Sequence, residues 1–403
     1  MGPVPQIAVT GMGAVTSAGT GVEALWRALV DGRPLHRAIS GWDTEGFVNH
    51  RVASVATPLR RSLRSAAPDG VDDPTAFLLA SVREAQEDAG SPALASDRVG
   101  VYVGTSTGGV PRWVEYHRAR VEGRRPPWGP ADTDYGAPAR HLARALGSEG
   151  PAVTISTACC SATAAMGLAL DDLRRGAVDM AVVGGADAVD RFIHAGFDML
   201  GALTAAEMNP FGEGRSGLVL GEGAGALILE TGEHARARGV GPRAWLAGAG
   251  MGGDANHMTG PDREGRGVER ALRMALDDAG VTADDVDLIC AHATSTPFND
   301  AMEARALHRL FGHRRPAAPA VAYKPVFGHT LGACGLLEAI ACVQVIERGT
   351  IPPTPGPGPQ DPDCPYPLLR DVTVDGPVSV AASTNSAFAG NNAAVVLRHV
   401  ESP

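Results

Sequence analysis

Short apolar runs alternate with amphipathic stretches along most of this chain of 403 residues. Residues 21–30 repeat apolar side chains at helical spacing, which predicts a helix with one buried face. Residues 153–156 predict a strand, Cys159 begins a predicted helix that ends near Arg175, and residues 180–184 predict the returning strand. A strand–helix–strand unit implies parallel strands, so this pattern indicates an α/β protein.

The length of the chain allows a large buried core, either in two domains or in one fused α/β unit. Charge and glycine content rise near residues 231–243, between two halves that are both rich in strand patterns. We therefore predict one domain over residues 1–240 and a second over residues 241–403.

The balance of 35 basic and 45 acidic residues gives a formal net charge of −10. This charge argues against nonspecific nucleic-acid binding, which needs a basic face. No apolar run reaches the roughly 20 residues that span a bilayer, and the first residues do not form a signal peptide. The six cysteines fit neither a disulfide framework nor the paired spacing of a zinc site. We expect a reduced cytoplasmic protein with a reactive thiol and without bound metal.

Lysine occurs once in the sequence, at Lys324, and all other basic residues are arginine. Lysine is a compact ammonium on a flexible stem, whereas arginine is a bulky, permanently charged fork. A single retained lysine therefore predicts a position that arginine cannot fill. Lys324 opens a segment that reaches His329 five positions later.

A cysteine and a second histidine each follow a predicted strand. Cys159 comes after a strand and a short turn, and a cysteine on the first turn of a helix meets unpaired N–H groups and a positive dipole end. These surroundings would favour the thiolate. His292 ends the predicted strand 286–291, and the carboxyl ends of strands face the crevice where α/β proteins bind ligands. A buried structural cysteine and an ordinary loop histidine are the alternatives for each position taken alone.

Residues 11–16 have the beginning of a dinucleotide-binding fingerprint. The sixth place of that motif is neither glycine nor alanine, and no acidic residue ends a second strand at the expected distance. We expect no bound dinucleotide cofactor.

Taken together, the segments resemble the β-ketoacyl-acyl-carrier-protein synthases of the elongating cysteine–histidine–histidine type, in the thiolase superfamily. The resemblance covers nearly the whole chain and depends on the order and spacing of several motifs. The matching segments are residues 9–16, 156–159, 221–224, 292–303, 324–330 and 385–392. It implies a thiolase-like layered αβαβα fold made of two similar halves, with Cys159 in the first half and both histidines in the second.

The resemblance also implies a mechanism. Cys159 would take an acyl group from an acyl carrier protein, and His292 and His329 would hold the thioester carbonyl of malonyl-carrier protein while CO2 leaves. Backbone N–H groups of Cys159 and Phe388 would form the oxyanion hole. Lys324 and Glu303 would form a charged pair behind the site. Thr294 and Thr296 would contact the phosphopantetheine arm, and Thr107 would lie at the acyl pocket near a dimer interface. The chain itself would bind no cofactor, because the substrates arrive on the phosphopantetheine of the carrier protein.

Several positions depart from the family pattern. Ala387 and Ala389 flank Phe388 where glycines are usual, and Ala293 replaces a glycine after His292. These departures point to a divergent synthase of specialised metabolism rather than the housekeeping fatty-acid enzyme, and residues 299–303 lean toward type II polyketide or polyene systems. The resemblance also implies an elongating synthase of the polyketide, polyene or fatty-acid type that acts as a homodimer or as a heterodimer with a second synthase-like chain.

Two other functions remain open. One is a catalytically silent subunit of the chain-length-factor kind, although such subunits typically lack the nucleophile that Cys159 supplies. The other is a degradative thiolase, which needs a second C-terminal cysteine as acid and base. Cys364 lies in a proline-rich loop outside any such motif, so the thiolase interpretation is the weaker one.

Overall fold

A computed structural model describes residues 4–68, 71–126, 128–313, 316–370 and 372–400. The strands are β1 (Ile7–Thr16), β2 (Gly19–Thr20), β3 (Arg37–Ala38), β4 (Arg51–Val52), β5 (Val99–Gly104), β6 (Ala152–Ile155), β7 (Met180–Asp187), β8 (Gly223–Thr231), β9 (Ala244–Gly253), β10 (Leu288–Cys290), β11 (Ala320–Val321), β12 (Thr350–Ile351), β13 (Val374–Asp375), β14 (Val380–Ser386) and β15 (Asn391–Arg398). The α-helices are α1 (Val22–Asp31), α2 (Thr57–Ala66), α3 (Asp73–Asp88), α4 (Val110–Val121), α5 (Ala137–Leu146), α6 (Ser161–Arg174), α7 (Arg191–Met199), α8 (Gly232–Ala237), α9 (Arg266–Ala279), α10 (Pro297–Phe311), α11 (Lys324–Phe327) and α12 (Cys334–Arg348).

The main sheet consists of two halves with the same connectivity. The strand order is β11-β10-β14-β15-β9-β1-β8-β7-β5-β6, and β1 meets β9 at the junction through a short antiparallel register. In the first half β5 is parallel to both β6 and β7, and β8 is antiparallel to β7 and β1. In the second half β10 is parallel to β11 and β14, and β15 is antiparallel to β14 and β9. The prediction of two similar halves is therefore confirmed.

Two buried helices lie between the two half-sheets. Helix α6 belongs to the first half, yet it contacts β9 and β15 of the second half as well as β5 and β7. Helix α12 belongs to the second half and contacts β8 and β7 of the first, and its residues from Cys334 to Ile346 are buried. Helices α3 and α9 cover the outer faces. The layers are helix, sheet, helix, sheet, helix, as predicted.

The glycines that resembled a dinucleotide motif have a packing role instead. Gly11 and Gly13 lie inside β1, where a side-chain carbon would come within 2.0 Å of the Ala85 carbonyl oxygen and 1.9 Å of the Ser81 carbonyl oxygen. Both oxygens belong to α3, so the glycines allow that helix to lie directly on the strand.

The predicted start of the helix after the nucleophile motif was wrong by two residues. Helix α6 begins at Ser161 with Cys160 as its N-cap, so Cys159 lies in the turn before the helix. The chain turns there because Ala158 has a left-handed backbone (φ 51°), which interrupts helical geometry. The outer residues of the two predicted domains, 1–3 and 401–403, lie outside the described residues.

Candidate active site

Cys159 is presented by the turn between β6 and α6. Ser161 anchors this turn, since its hydroxyl donates to the Ala158 carbonyl at 2.5 Å and accepts from the Thr157 N–H at 2.9 Å. The Cys159 side chain is 6% exposed and lines a cavity of about 420 Å³. The turn therefore directs the thiol into a cavity while its backbone stays tied to the sheet.

His292 follows β10 and is held through its backbone. Its N–H and that of Ala293 each donate to one oxygen of the Glu303 carboxylate, both at 2.7 Å. Its carbonyl accepts from Nζ of Lys324 at 2.6 Å. Ala293 adopts φ 38°, in the region that favours glycine, and the contact with Glu303 holds it there. A carboxylate from α10 and an ammonium from α11 therefore fix the start of the histidine segment.

His329 lies in the loop between α11 and α12. Its N–H donates to the Val219 carbonyl at 2.8 Å, and its carbonyl accepts from Gly221 at 2.9 Å. Within its ring, Nδ1 accepts from the Leu331 N–H at 3.1 Å. The backbone and the ring of His329 are both held in place.

The three groups meet in one place although they lie far apart in the sequence. Sγ of Cys159 and one ring nitrogen from each of His292 and His329 lie within 4.8 Å of one another. The two imidazole centroids are 5.4 Å apart, with ring planes at 85°. All three side chains are buried, and all three line the same cavity. The arrangement can present two ring N–H groups and a sulfur to one substrate carbon centre.

Hydrogen bonds to Nδ1 decide which ring nitrogens carry protons. Nδ1 of His329 accepts from a backbone N–H, and Nδ1 of His292 faces the Asn385 amide nitrogen at 3.2 Å. A neutral imidazole that accepts at Nδ1 carries its proton on Nε2. Burial and the Lys324 charge lower the pKa of both histidines well below the ordinary value, so both rings are neutral. Each histidine can then donate one hydrogen bond from Nε2.

The same hydrogen bonds bear on metal binding. A cysteine and two histidines at this separation could hold a transition-metal ion. A metal at Nε2 needs a lone pair there and a proton on Nδ1, which donors from Leu331 and Asn385 oppose. The arrangement therefore suits hydrogen-bond donation to a substrate better than metal coordination.

The predicted charged pair of Lys324 and Glu303 is wrong, because Lys324 pairs with Glu338. Nζ of Lys324 lies 2.5 Å from Oε1 of Glu338, and both side chains are fully buried. Glu303 is occupied by the two backbone amides of the His292 segment. Burial alone would lower the pKa of Lys324, but the neighbouring Glu338 carboxylate raises it above its ordinary value. Lys324 stays protonated and cannot serve as a base.

The expectation that Cys159 is readily ionised is also wrong. Burial raises the pKa of its thiol to about 12, with a smaller contribution from Cys160, while the Lys324 charge acts in the opposite direction. Cys159 lies outside α6, so it does not occupy the first helical turn on which the expectation depended. The thiol form of Cys159 therefore predominates at neutral pH.

Thr294, Thr296 and Phe388 line the cavity with the three central residues, but Thr107 does not. The Thr107 hydroxyl donates to the Asp187 carboxylate at 2.6 Å. That buried carboxylate also accepts from the hydroxyl of Thr105 at 2.7 Å and from the N–H of Gly332 at 2.7 Å. Thr107 therefore helps to join the loop after β5 to the loop that carries His329.

The Phe388 segment keeps one unusual backbone position. Ala389 has φ 64°, whereas Ala387 is extended with φ −137°. The Ala389 N–H donates to the Met258 carbonyl at 2.7 Å, and the Phe388 ring lies 6.0 Å from that of Phe197. Only one of the two alanines therefore occupies a conformation that favours glycine.

Sequence reasoning assigned no role to three buried polar residues near the site: Glu338, Asn385 and Asp187. Glu338 gave a signal that could have been used, because it is an isolated acid within the apolar run of α12. Asn385 was noticed only as part of the C-terminal motif. Asp187 ends a buried strand, where a lone carboxylate needs partners. Cys364 is buried away from the cavity and supplies no second thiol to it.

None of the helices in the described ranges combines the length and the apolar character needed to cross a membrane. Comparison with protein families gives two adjoining matches. Residues 5–235 match the N-terminal domain of β-ketoacyl synthases, and residues 243–356 match the C-terminal domain of the same proteins.

Individual relatives match along their full length. The tetracenomycin polyketide synthase ketoacyl synthase alpha subunit of Streptomyces glaucescens is 34% identical, over 97% of this chain and 96% of that protein. The 3-oxoacyl-[acyl-carrier-protein] synthase 2 of Staphylococcus aureus (strain COL) is 31% identical, over 98% and 99%. A chain of the solved ishigamide ketosynthase/chain length factor has a TM-score of 0.91 and 36% identity, over 99% of this chain and 100% of that one.

Proposed function

This chain belongs to the β-ketoacyl synthase family, and we propose that it is an acyltransferase that elongates a polyketide or fatty acyl chain by decarboxylative condensation. One observation carries the proposal: the Cys159 sulfur and the His292 and His329 rings converge within 4.8 Å at a shared cavity.

The first step is acyl transfer to Cys159. The sulfur attacks the thioester carbonyl of an acyl-carrier protein, the carrier thiol leaves with the proton, and an acyl-cysteine remains. Backbone N–H groups of Cys159 and Phe388 hold the oxyanion. Thr294 and Thr296, whose hydroxyl oxygens are 2.9 Å apart on the cavity wall, contact the phosphopantetheine arm.

The second step is decarboxylation and condensation. Malonyl-carrier protein enters with its thioester carbonyl between His292 and His329, which donate from Nε2. Loss of CO2 leaves an enolate, and the two hydrogen bonds stabilise the charge that develops on its oxygen. The enolate carbon attacks the acyl carbonyl, the carbon–sulfur bond to Cys159 breaks, and the sulfur leaves as a thiolate that takes up a proton from solvent to restore the thiol. Lys324 and Glu303 hold the His292 backbone in place throughout.

The partners follow from the same proposal. The Staphylococcus relative is named for acyl-carrier protein, and the ishigamide structure contains a ketosynthase and a chain length factor. We expect the carrier protein to dock at the cavity mouth and a second synthase-like chain, identical or related, to complete a dimer. Strand β6 is available for that contact, because in the described part of the chain it pairs with β5 on one side only, and its residues are exposed or half-buried.

Incubation of the purified chain with acyl-carrier protein tests the proposal. We expect an intact-mass increase equal to the acyl group, absent in Cys159→Ala, and a β-ketoacyl product once malonyl-carrier protein is added. An adduct that persists unchanged in Cys159→Ala would contradict the proposed nucleophile. The burial of the Cys159 thiol favours a chain-length-factor role as the second candidate function. That role would be supported if condensation requires an added active synthase chain and continues when this chain carries Cys159→Ala.

A further inference from the structure

We propose that Asn385 is a positioning residue that fixes the proton of His292 on Nε2 and thereby keeps a hydrogen-bond donor pointing into the Cys159 cavity. The proposal rests on the condensing function for its kinetic consequences, while its structural basis is independent of them. Asn385 is fully buried near the end of β14, and its amide nitrogen lies 3.2 Å from Nδ1 of His292.

The orientation of the Asn385 amide is determined by a carboxylate. Its Nδ2 lies 2.7 Å from Oε2 of Glu338, whose other oxygen accepts from Lys324. A carboxylate only accepts hydrogen bonds, so the atom that faces it must be the amide nitrogen. The second hydrogen of this nitrogen faces Nδ1 of His292 at 3.2 Å and, at the longer distance of 3.6 Å, Sγ of Cys334. An amide nitrogen donates and does not accept, so Nδ1 of His292 is the acceptor. Lys324 is therefore linked to the histidine ring by hydrogen bonds through Glu338 and Asn385, in addition to its direct bond to the His292 carbonyl.

The opposite side of the amide is held as well. Oδ1 accepts from the Thr163 hydroxyl of α6. Gly335 leaves the space for this contact, since a side-chain carbon there would lie 2.0 Å from Oγ1 of Thr163 and 2.4 Å from Oδ1 of Asn385. Helices α6 and α12 therefore hold the amide between them, and rotation would break hydrogen bonds on both sides.

The consequence is a matched pair of donors. The Leu331 N–H acts on Nδ1 of His329 as Asn385 acts on Nδ1 of His292. The Leu331 donor is a backbone N–H, which a side-chain substitution leaves in place, whereas the Asn385 donor is a side chain and can be replaced. Asn385→Asp replaces Nδ2 by a carboxyl oxygen. Even if that oxygen is protonated and donates to Glu338, its lone pair faces His292 and favours the proton on Nδ1.

A kinetic experiment separates acyl transfer from decarboxylation. In Asn385→Asp we expect decarboxylation of malonyl-carrier protein to fall about a hundredfold or more, as on removal of one donor to a developing oxyanion. Acylation of Cys159 should change by less than about threefold, because backbone N–H groups serve that step. Thr163→Val is the matched control, since it removes a hydrogen bond of the same amide on the side away from His292, and it should retain most of the decarboxylation rate.

Equal losses in both steps, or equal losses in Asn385→Asp and Thr163→Val, would show that Asn385 acts through packing alone and would overturn the inference. Asn385→Leu provides a second variant in case the carboxyl group disturbs folding. It removes the donor without adding an acceptor, and it should show the same selective loss with a smaller magnitude. Thermal unfolding of every variant shows whether each is folded under the assay conditions.

A second readout requires no catalysis. Once the proton moves to Nδ1, Nε2 of His292 and the Cys159 sulfur can share a metal ion, and a carboxylate behind a metal-bound histidine is worth about 10–100-fold in affinity. Titration with Co²⁺, followed by thiolate-to-cobalt charge-transfer absorption, should show at least about tenfold tighter binding in Asn385→Asp than in the natural chain. The gain should disappear in Asn385→Asp combined with Cys159→Ala. Equal binding by the natural chain and Asn385→Asp would overturn the assignment, whether or not the chain condenses acyl groups.

Discussion

The chemistry of the site depends on the burial of three side chains: Cys159, His292 and His329. Burial keeps His292 and His329 neutral, so that each donates a hydrogen bond without carrying charge. The same burial keeps Cys159 protonated. Burial therefore has two opposing effects on the reaction: it keeps the histidines ready to donate hydrogen bonds during decarboxylation, and it slows formation of the Cys159 thiolate.

This competition predicts the pH dependence of alkylation at Cys159. The thiolate fraction grows about tenfold per pH unit below the pKa, and the pKa here is raised to about 12. The rate of modification by iodoacetamide should therefore rise steadily between about pH 7 and 9.5. Intact mass, with Cys159→Ala as control, assigns the reaction to this residue. A rate that levels off near about pH 8.5, the ordinary value for cysteine, would contradict the direction of the shift.

Among the elements, the outer helices show how the two halves are built alike. Helix α3 lies on β1 through Gly11 and Gly13, and α9 lies on β9 in the same manner. On β9, a side-chain carbon at Gly250 would come within 2.2 Å of the Ala271 carbonyl oxygen. Main-chain atoms of a packed helix cannot move aside cheaply, so glycine is required by close approach.

A pair of substitutions on β9 tests this packing. Gly250→Ala should lower the free energy of unfolding by about 1–3 kcal/mol, the usual effect of overpacking a core. Gly253→Ala on the same strand is the matched control, since nothing lies within 4 Å of the added carbon. It should be neutral or slightly stabilising, because alanine loses less backbone entropy than glycine. Chemical denaturation of both proteins gives the comparison, and equal effects would show that α9 does not rest on the strand backbone.

At the scale of the whole molecule, the two halves share one interior. Helix α6 from the first half packs on strands of the second, and α12 from the second packs on strands of the first. The site itself spans both halves, with Cys159 ahead of α6 and His329 ahead of α12. The predicted division at residue 240 therefore separates sequence segments whose cores are built jointly.

This sharing predicts that the predicted domains do not fold alone. A fragment of residues 1–240 would expose the face of α6 that packs on β9 and β15, and a fragment of residues 241–403 would expose α12. We expect neither fragment to show a cooperative thermal transition by circular dichroism, whereas the full chain should unfold in one. A sharp transition in residues 1–240 by themselves would establish an independent domain instead.

Several features could be predicted because they depend on local sequence. Helix α1 lies within one residue of its predicted bounds at both ends, since its apolar spacing is regular. The lone lysine marked a buried position where a compact ammonium reaches a backbone carbonyl. Its partner was predicted incorrectly, because the distance between Lys324 and Glu338 depends on how α11 meets α12, and residue spacing does not contain that information.

By itself the sequence determined the α/β class from its periodicity, and it determined the family and the three residues around which the site is built from motifs that are contiguous along the chain. The two similar halves were expected only because the resemblance to that family implies them. Only the tertiary structure decided which carboxylate neutralises Lys324, where Thr107 points, how strongly Cys159 is buried and which ring nitrogen of His292 carries the proton. Each of these depends on groups that are distant in sequence and packed together without water, where a shift of one hydrogen-bond partner changes a charge or a proton position.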